Sequence, residues 1–171
     1  MKKLRLLFTE TCNRKCPGCC NKDWELDKLE KVSHFDYDEI LITGGEPLLF
    51  PKQLVGYVNA IRTVSKAKIY VYTALTVLNR TFKPLYDVIK SVDGITLTLH
   101  DQKDVDNLSH VLYSINNDKK TYEAFKGKSL RLNIFKGIDT GMMNLTGWEV
   151  KRDMVWIENC PLPKDEEFRR V

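Results

Sequence analysis

Four of the five cysteines in this chain fall within nine positions, in the stretch TETCNRKCPGCCN, residues 9 to 21. Cys12, Cys16 and Cys19 are spaced C-x-x-x-C-x-x-C, Cys20 is adjacent, and Cys160 stands alone in ENCPLP. The thiolate is the form of cysteine that binds metals. A closed zinc site wants four ligands, commonly as two short pairs or with histidines at short spacing. Here a second pair is missing, and His34, His100 and His110 are scattered. Three thiolates on one loop suit an iron–sulfur cube better, holding three irons of a [4Fe–4S] cluster and leaving the fourth open to a small molecule. Loop N–H groups and the charges of Arg14 and Lys15 would stabilise such a cluster. Cys20 reads as a half-buried thiol beside the site and Cys160 as a small core residue.

The elements that must position this loop are legible as an alternation. Short runs rich in β-branched and leucine residues, LRLLF (4–8), EILIT (39–43), KIYVYT (68–73), GITLTLH (94–100), SLRLNIF (129–135) and DMVWIE (153–158), read as strands. Helical spacing appears at 24–35, 51–65, 81–92 and 104–116, with a further turn at 120–127. The stretch 136–152 reads as a loop, or as a hairpin strand around WEVKR. Such alternation predicts an α/β fold with a mostly parallel sheet and right-handed crossovers, an open partial barrel or a doubly wound layer. Sites then form on loops leaving the C-terminal strand ends. Those loops carry the cysteines, GGEP, ALT, DQKD, KGIDTG and NCPLP, so the cysteines and GGEP fall on neighbouring strand ends.

The chain has 171 residues, which suits a single domain spanning 1–171, and its formal charge of +4 comes from interleaved acids and bases. That mixture reads as a solvated surface rather than a nucleic-acid face. No run approaches the roughly 20 apolar residues that span a bilayer. The opening MKKLRLLF has too short an apolar run for a signal peptide and reads as the first strand. The expectation is a cytoplasmic protein without a membrane partner, its cysteines kept as thiols.

LRLLFTETCNRKCPGCC followed by ILITGGEPLL resembles the first two strands, the cluster loop and the GGEP turn of the radical SAM superfamily. The resemblance implies a (β/α)6 partial barrel and a [4Fe–4S] cluster on Cys12, Cys16 and Cys19 whose open iron chelates S-adenosylmethionine (SAM). It implies that Glu46 and the carbonyls of Gly44 and Gly45 receive the SAM amino group, with Pro47 fixing the turn. By strand order it places Thr73, Thr98 and Asn133 at further SAM contacts, with His100 and Asp101 in reach. Many members have an aromatic residue just before the third cysteine; Gly18 stands there, so adenine packing falls to Trp24, Ile134 or Trp156. CPGCCNKDW is similar to the cluster loop of anaerobic ribonucleotide reductase activases. The implied reaction is reductive cleavage of SAM to a 5′-deoxyadenosyl radical that abstracts hydrogen, fed by an electron donor such as flavodoxin or ferredoxin. Two substrates stay open: a small molecule, nucleotide or peptide, or a glycyl-radical enzyme activated by this chain. Lys103, Lys136, Asp139 and Glu158 lie on candidate substrate loops, where solvated charges are the ordinary finding. A non-catalytic zinc- or cluster-binding interaction module is the reading from another class.

Overall fold

The computed structural model describes residues 1–75 and 77–171; Thr76, in the loop expected after the third strand, lies outside them. The described residues form an α/β structure around a seven-stranded sheet. Strands β1 (Lys3–Thr9), β2 (Glu39–Gly44), β3 (Lys68–Thr73), β4 (Gly94–Leu99), β5 (Ser129–Phe135), β6 (Trp148–Met154) and β7 (Glu166–Arg170) lie in the order β6-β5-β4-β3-β2-β1-β7. Every neighbouring pair is parallel. The helices are α1 (Pro51–Val64), α2 (Lys83–Ile89), α3 (Gln102–Asn117) and α4 (Lys119–Phe125).

Side-chain alternation explains why the helices cover one face. Leu4 and Leu6 of β1, Ile40 and Ile42 of β2, Ile69 and Val71 of β3 and Ile95 of β4 are fully buried. They pack with Leu54, Val58 and Ile61 of α1, with Leu85, Val88 and Ile89 of α2, and with Phe125 of α4. The apolar positions of α1 fall at i, i+4 and i+7, one stripe of a helix. Pro51 opens α1, where its missing N–H costs nothing. Asp101 caps α3 in a reciprocal box with Asp104. The alternate residues on the other face are polar over β3 to β6, with Tyr72, Thr96, Thr98, Arg131, Asn133, Glu149 and Lys151 in aligned positions.

Three sequence expectations are corrected. Residues 24–35 do not form a helix: short 3₁₀ turns at Cys20–Lys22 and Leu26–Lys28 give way to extended chain. There Val32 N–H donates to Arg170 O at 2.8 Å, and Arg170 N–H donates to Glu30 O at 3.0 Å. Pairing with the β7 edge outcompetes the helical spacing, while Trp24, Leu26 and Leu29 cover Leu7 and Phe168. The sixth strand is Trp148–Met154 rather than 153–158, and it runs parallel to β5, not as a hairpin. Val155 and Ile157, apolar enough to read as strand, are exposed. The seventh strand, EEFRR, holds one apolar residue and escapes a hydrophobicity pattern. Arg5 binds it through Glu166 at 2.7 Å.

No helix among the described residues is long and apolar enough to cross a membrane.

Candidate functional site

The cysteine loop leaves β1, and two sets of polar contacts hold it to its surroundings. The first is made by the GGE turn at the end of β2. Gly45 N–H donates to Thr9 O at 2.6 Å, and Glu46 N–H donates to Thr11 O at 2.9 Å. A Cβ on Gly44 or Gly45 would overlap the carbonyl oxygens of Thr9 and Thr11, and Gly44 has φ +136°. Both glycines are therefore required by the approach of the cysteine loop's own backbone. The second fastening is Arg14. Its guanidinium grips Asp104 with two bonds, at 2.6 and 2.8 Å. Asp104 is buried at the start of α3 and also accepts the His100 N–H at 2.7 Å. Burial works against the Arg14 charge, but its bonds to Asp104 and the Cys16 thiol outweigh that and hold its pKa above the ordinary value.

The five cysteines divide into a pair and a trio. Cys20 and Cys160 form a disulfide, with Cα atoms 5.3 Å apart. This corrects the reading of Cys20 as a thiol and Cys160 as a core residue. The Trp24 indole N–H seals the junction by donating to Cys160 O at 2.9 Å. Cys12, Cys16 and Cys19 remain free. All three line one cavity of ≈ 220 Å³, together with Gly44, Gly45, Glu46, Thr73, Thr98 and His100. Burial pushes the Cys12 and Cys16 thiols up, so loading a cation there releases protons. Arg14 N–H points at Cys12 Sγ, 3.4 Å away, and the Arg14 charge pulls the Cys16 thiol back down.

Glu46 is 1% exposed. Its carboxylate accepts from Thr73 Oγ1 at 2.6 Å, Leu48 N–H at 3.0 Å and Ala74 N–H at 3.0 Å. Burial pushes its pKa up, while those three bonds and the Arg14 charge oppose the shift. Thr73 thereby orients Glu46, its own oxygen accepting the Leu75 N–H at 2.9 Å. Pro47 is buried at the first position of the 3₁₀ turn Pro47–Leu49.

Asn133 is not brought into this cavity. It lines a neighbouring one with Tyr72, Thr96, Arg131, Glu149 and Lys151. Ile134 is buried on the helix face beneath α3, so it presents nothing to the cysteines. Trp156 stands against Gly18, where a Cβ would lie 2.7 Å from it. It stacks on His100 with ring centres 5.2 Å apart and packs on Phe135 at 4.2 Å. Its indole thus occupies space that a bulkier residue before Cys19 would need. Lys103, Lys136, Asp139 and Glu158 are exposed, and none lines the cysteine cavity. Arg5 and Tyr72 also line the cysteine cavity, and no sequence motif marks them; Asp104 carries one local signal, the D-x-x-D spacing with Asp101 that marks a helix cap.

Among the described residues no three or more His, Cys, Asp or Glu side chains converge as they would on one metal ion. A [4Fe–4S] cube places each thiolate on a different iron, so its ligands need not meet at a point. The donor set fits that group: three unpaired thiols lining one cavity, with the Arg14 backbone N–H beside Cys12 and its guanidinium beside Cys16. No family model matches the chain, and no curated protein matches it.

Proposed function

We propose that this chain is a radical SAM enzyme, with Cys12, Cys16 and Cys19 as the cluster ligands and the GGE turn as the seat of the SAM amino group. The observation that carries the reading is that three free thiols and the Gly44–Glu46 turn, carried by adjacent strand ends, line one cavity. When bound, the cluster and SAM supply an electron and a 5′-deoxyadenosyl radical for hydrogen abstraction.

The chain's own residues do the rest. Arg14 fixes the cysteine loop against the β4–α3 turn, and Gly44 and Gly45 let the β2 turn lie against its backbone. Glu46 is held by Thr73, Leu48 and Ala74 with its charge beside the cavity, where it can accept an ammonium N–H. Trp156 and His100 present a stacked flat surface for a purine beside Gly18, and Thr98 adds a hydroxyl to the same wall. The sheet, with helices on one face and polar residues on the other, serves as a partial (β/α)6 barrel with β7 added at its β1 edge. Its polar side admits the substrate.

Anaerobic reconstitution tests this. The protein should turn brown, bind about four irons per chain, and release 5′-deoxyadenosine on reduction with SAM. Cys16→Ala should lose the iron, and Cys20→Ala should keep it. A colourless protein holding zinc, or full iron content in Cys16→Ala, refutes the assignment.

A further inference from the structure

We propose that the second cavity on the open face binds the phosphate or carboxylate group of a small anionic substrate. It is ≈ 200 Å³, and six residues line it: Tyr72, Thr96, Arg131, Asn133, Glu149 and Lys151. They stand on four adjacent strands in cross-strand rows. Tyr72, Thr96, Arg131 and Glu149 form one row; Thr98, Asn133 and Lys151 form the next. Residues on paired strands are held more rigidly than residues on loops.

Thr96 is the observation that points to a ligand. It is 3% exposed, and its hydroxyl oxygen has no hydrogen-bond partner among the described residues. An orphaned buried hydroxyl costs stability, and one facing a polar cavity can be satisfied by what enters it. Around it the charges are unequal. Arg131 and Lys151 give two positive charges against the single carboxylate of Glu149. Glu149 lies 3.8 Å from Arg131 with a side chain 65% exposed, a loose pair that leaves guanidinium N–H groups for an oxyanion. The Tyr70 ring supports the guanidinium from below, 4.7 Å away. The Asn133 amide and the Lys151 ammonium complete a set of donors from three strands.

Tyr72 lines both this cavity and the cysteine cavity, and Thr98, which lines the latter, is the cross-strand neighbour of Asn133. An anion held here therefore places the rest of its molecule toward the cysteines. That catalytic meaning rests on the function proposed above; the binding of an anion does not.

The test uses the full chain, iron-loaded and iron-free, titrated with inorganic phosphate and with succinate by calorimetry and amide NMR. One of the two probes should bind with shifts at Thr96, Asn133 and Lys151, and the preferred probe tells phosphate from carboxylate. Lys151→Ala and Thr96→Val should each weaken binding about tenfold, and Thr96→Ser should restore it. Thr96→Val should also raise the melting temperature, because it removes an unpartnered hydroxyl without changing shape. A merely structural Thr96 would move stability and leave affinity alone. Failure of both probes to bind, or equal binding by wild type and all variants, overturns the inference. Iron uptake and deoxyadenosine release without anion binding would sink this site and leave the proposed function; anion binding without iron uptake would do the reverse.

Discussion

Replacing Arg14 by methionine keeps the aliphatic stem and removes the charge that ties the cysteine loop to α3. The Asp104 side chain is 3% exposed and that of Arg14 18%. Removing one partner of a buried ion pair costs about 3–5 kcal/mol. Asp104 retains N–H bonds from His100 and Asp101, and solvent reaches part of Arg14, so the cost is discounted below that range, to about 2–3 kcal/mol. Asp104→Asn should cost a similar amount, because it leaves the guanidinium only one carboxylate contact, the long, solvent-exposed one with Asp101 at 3.5 Å. The double variant Arg14→Met/Asp104→Asn leaves neither charge stranded, so its loss should fall short of the sum by about 2 kcal/mol. Urea titrations followed by circular dichroism, with the disulfide intact in all four proteins, measure that difference. The iron retained after gel filtration provides a second readout, since Arg14→Met should loosen the loop that carries the thiols. Losses that add to within about 0.5 kcal/mol would show that the two side chains do not interact, and the account of how the loop is held would fail.

Gly45→Ala should destabilise the chain by about 3 kcal/mol, because its Cβ overlaps the Thr11 carbonyl. Gly56→Ala, in α1 where an added Cβ meets nothing within 4 Å, should stabilise it by about 0.5–1 kcal/mol; equal urea midpoints for the two would refute the close approach. Burial, with the Arg14 charge beside it, holds the His100 pKa below its ordinary 6.5. The folded chain then binds fewer protons than the unfolded chain just below that pH, so His100 takes away stability as pH falls through 6.5 toward the folded pKa. The urea midpoint should drop as pH falls below the ordinary histidine value of 6.5, and His100→Gln should flatten that part of the profile. The Cys20–Cys160 bridge joins residues 140 apart, and opening it should cost at most about 5 kcal/mol by chain entropy. Dithiothreitol should lower the unfolding midpoint of the wild type and leave Cys20→Ser/Cys160→Ser unmoved.

Short-range physics controls the features that are legible in the amino-acid sequence. Alternation of β-branched runs with helical stripes placed β1 to β5 and α1 to α4, because side-chain period and helix caps are local properties. It also put the cysteines and GGEP on neighbouring strand ends, since parallel connectivity leaves few alternatives. Where a segment makes its backbone bonds depends instead on long-range packing. Residues 30–32 bind the edge of β7 although 24–35 has helical spacing, and β7 itself carries one apolar residue among charges. The division of cysteines into a bonded pair and a free trio, and the separation of Asn133 from Thr98 into adjoining cavities, are likewise long-range facts. So is the ion pair of Arg14 with Asp104, across 90 residues. Each depends on which distant groups the folded sheet brings within a few ångströms, and no local pattern encodes that distance.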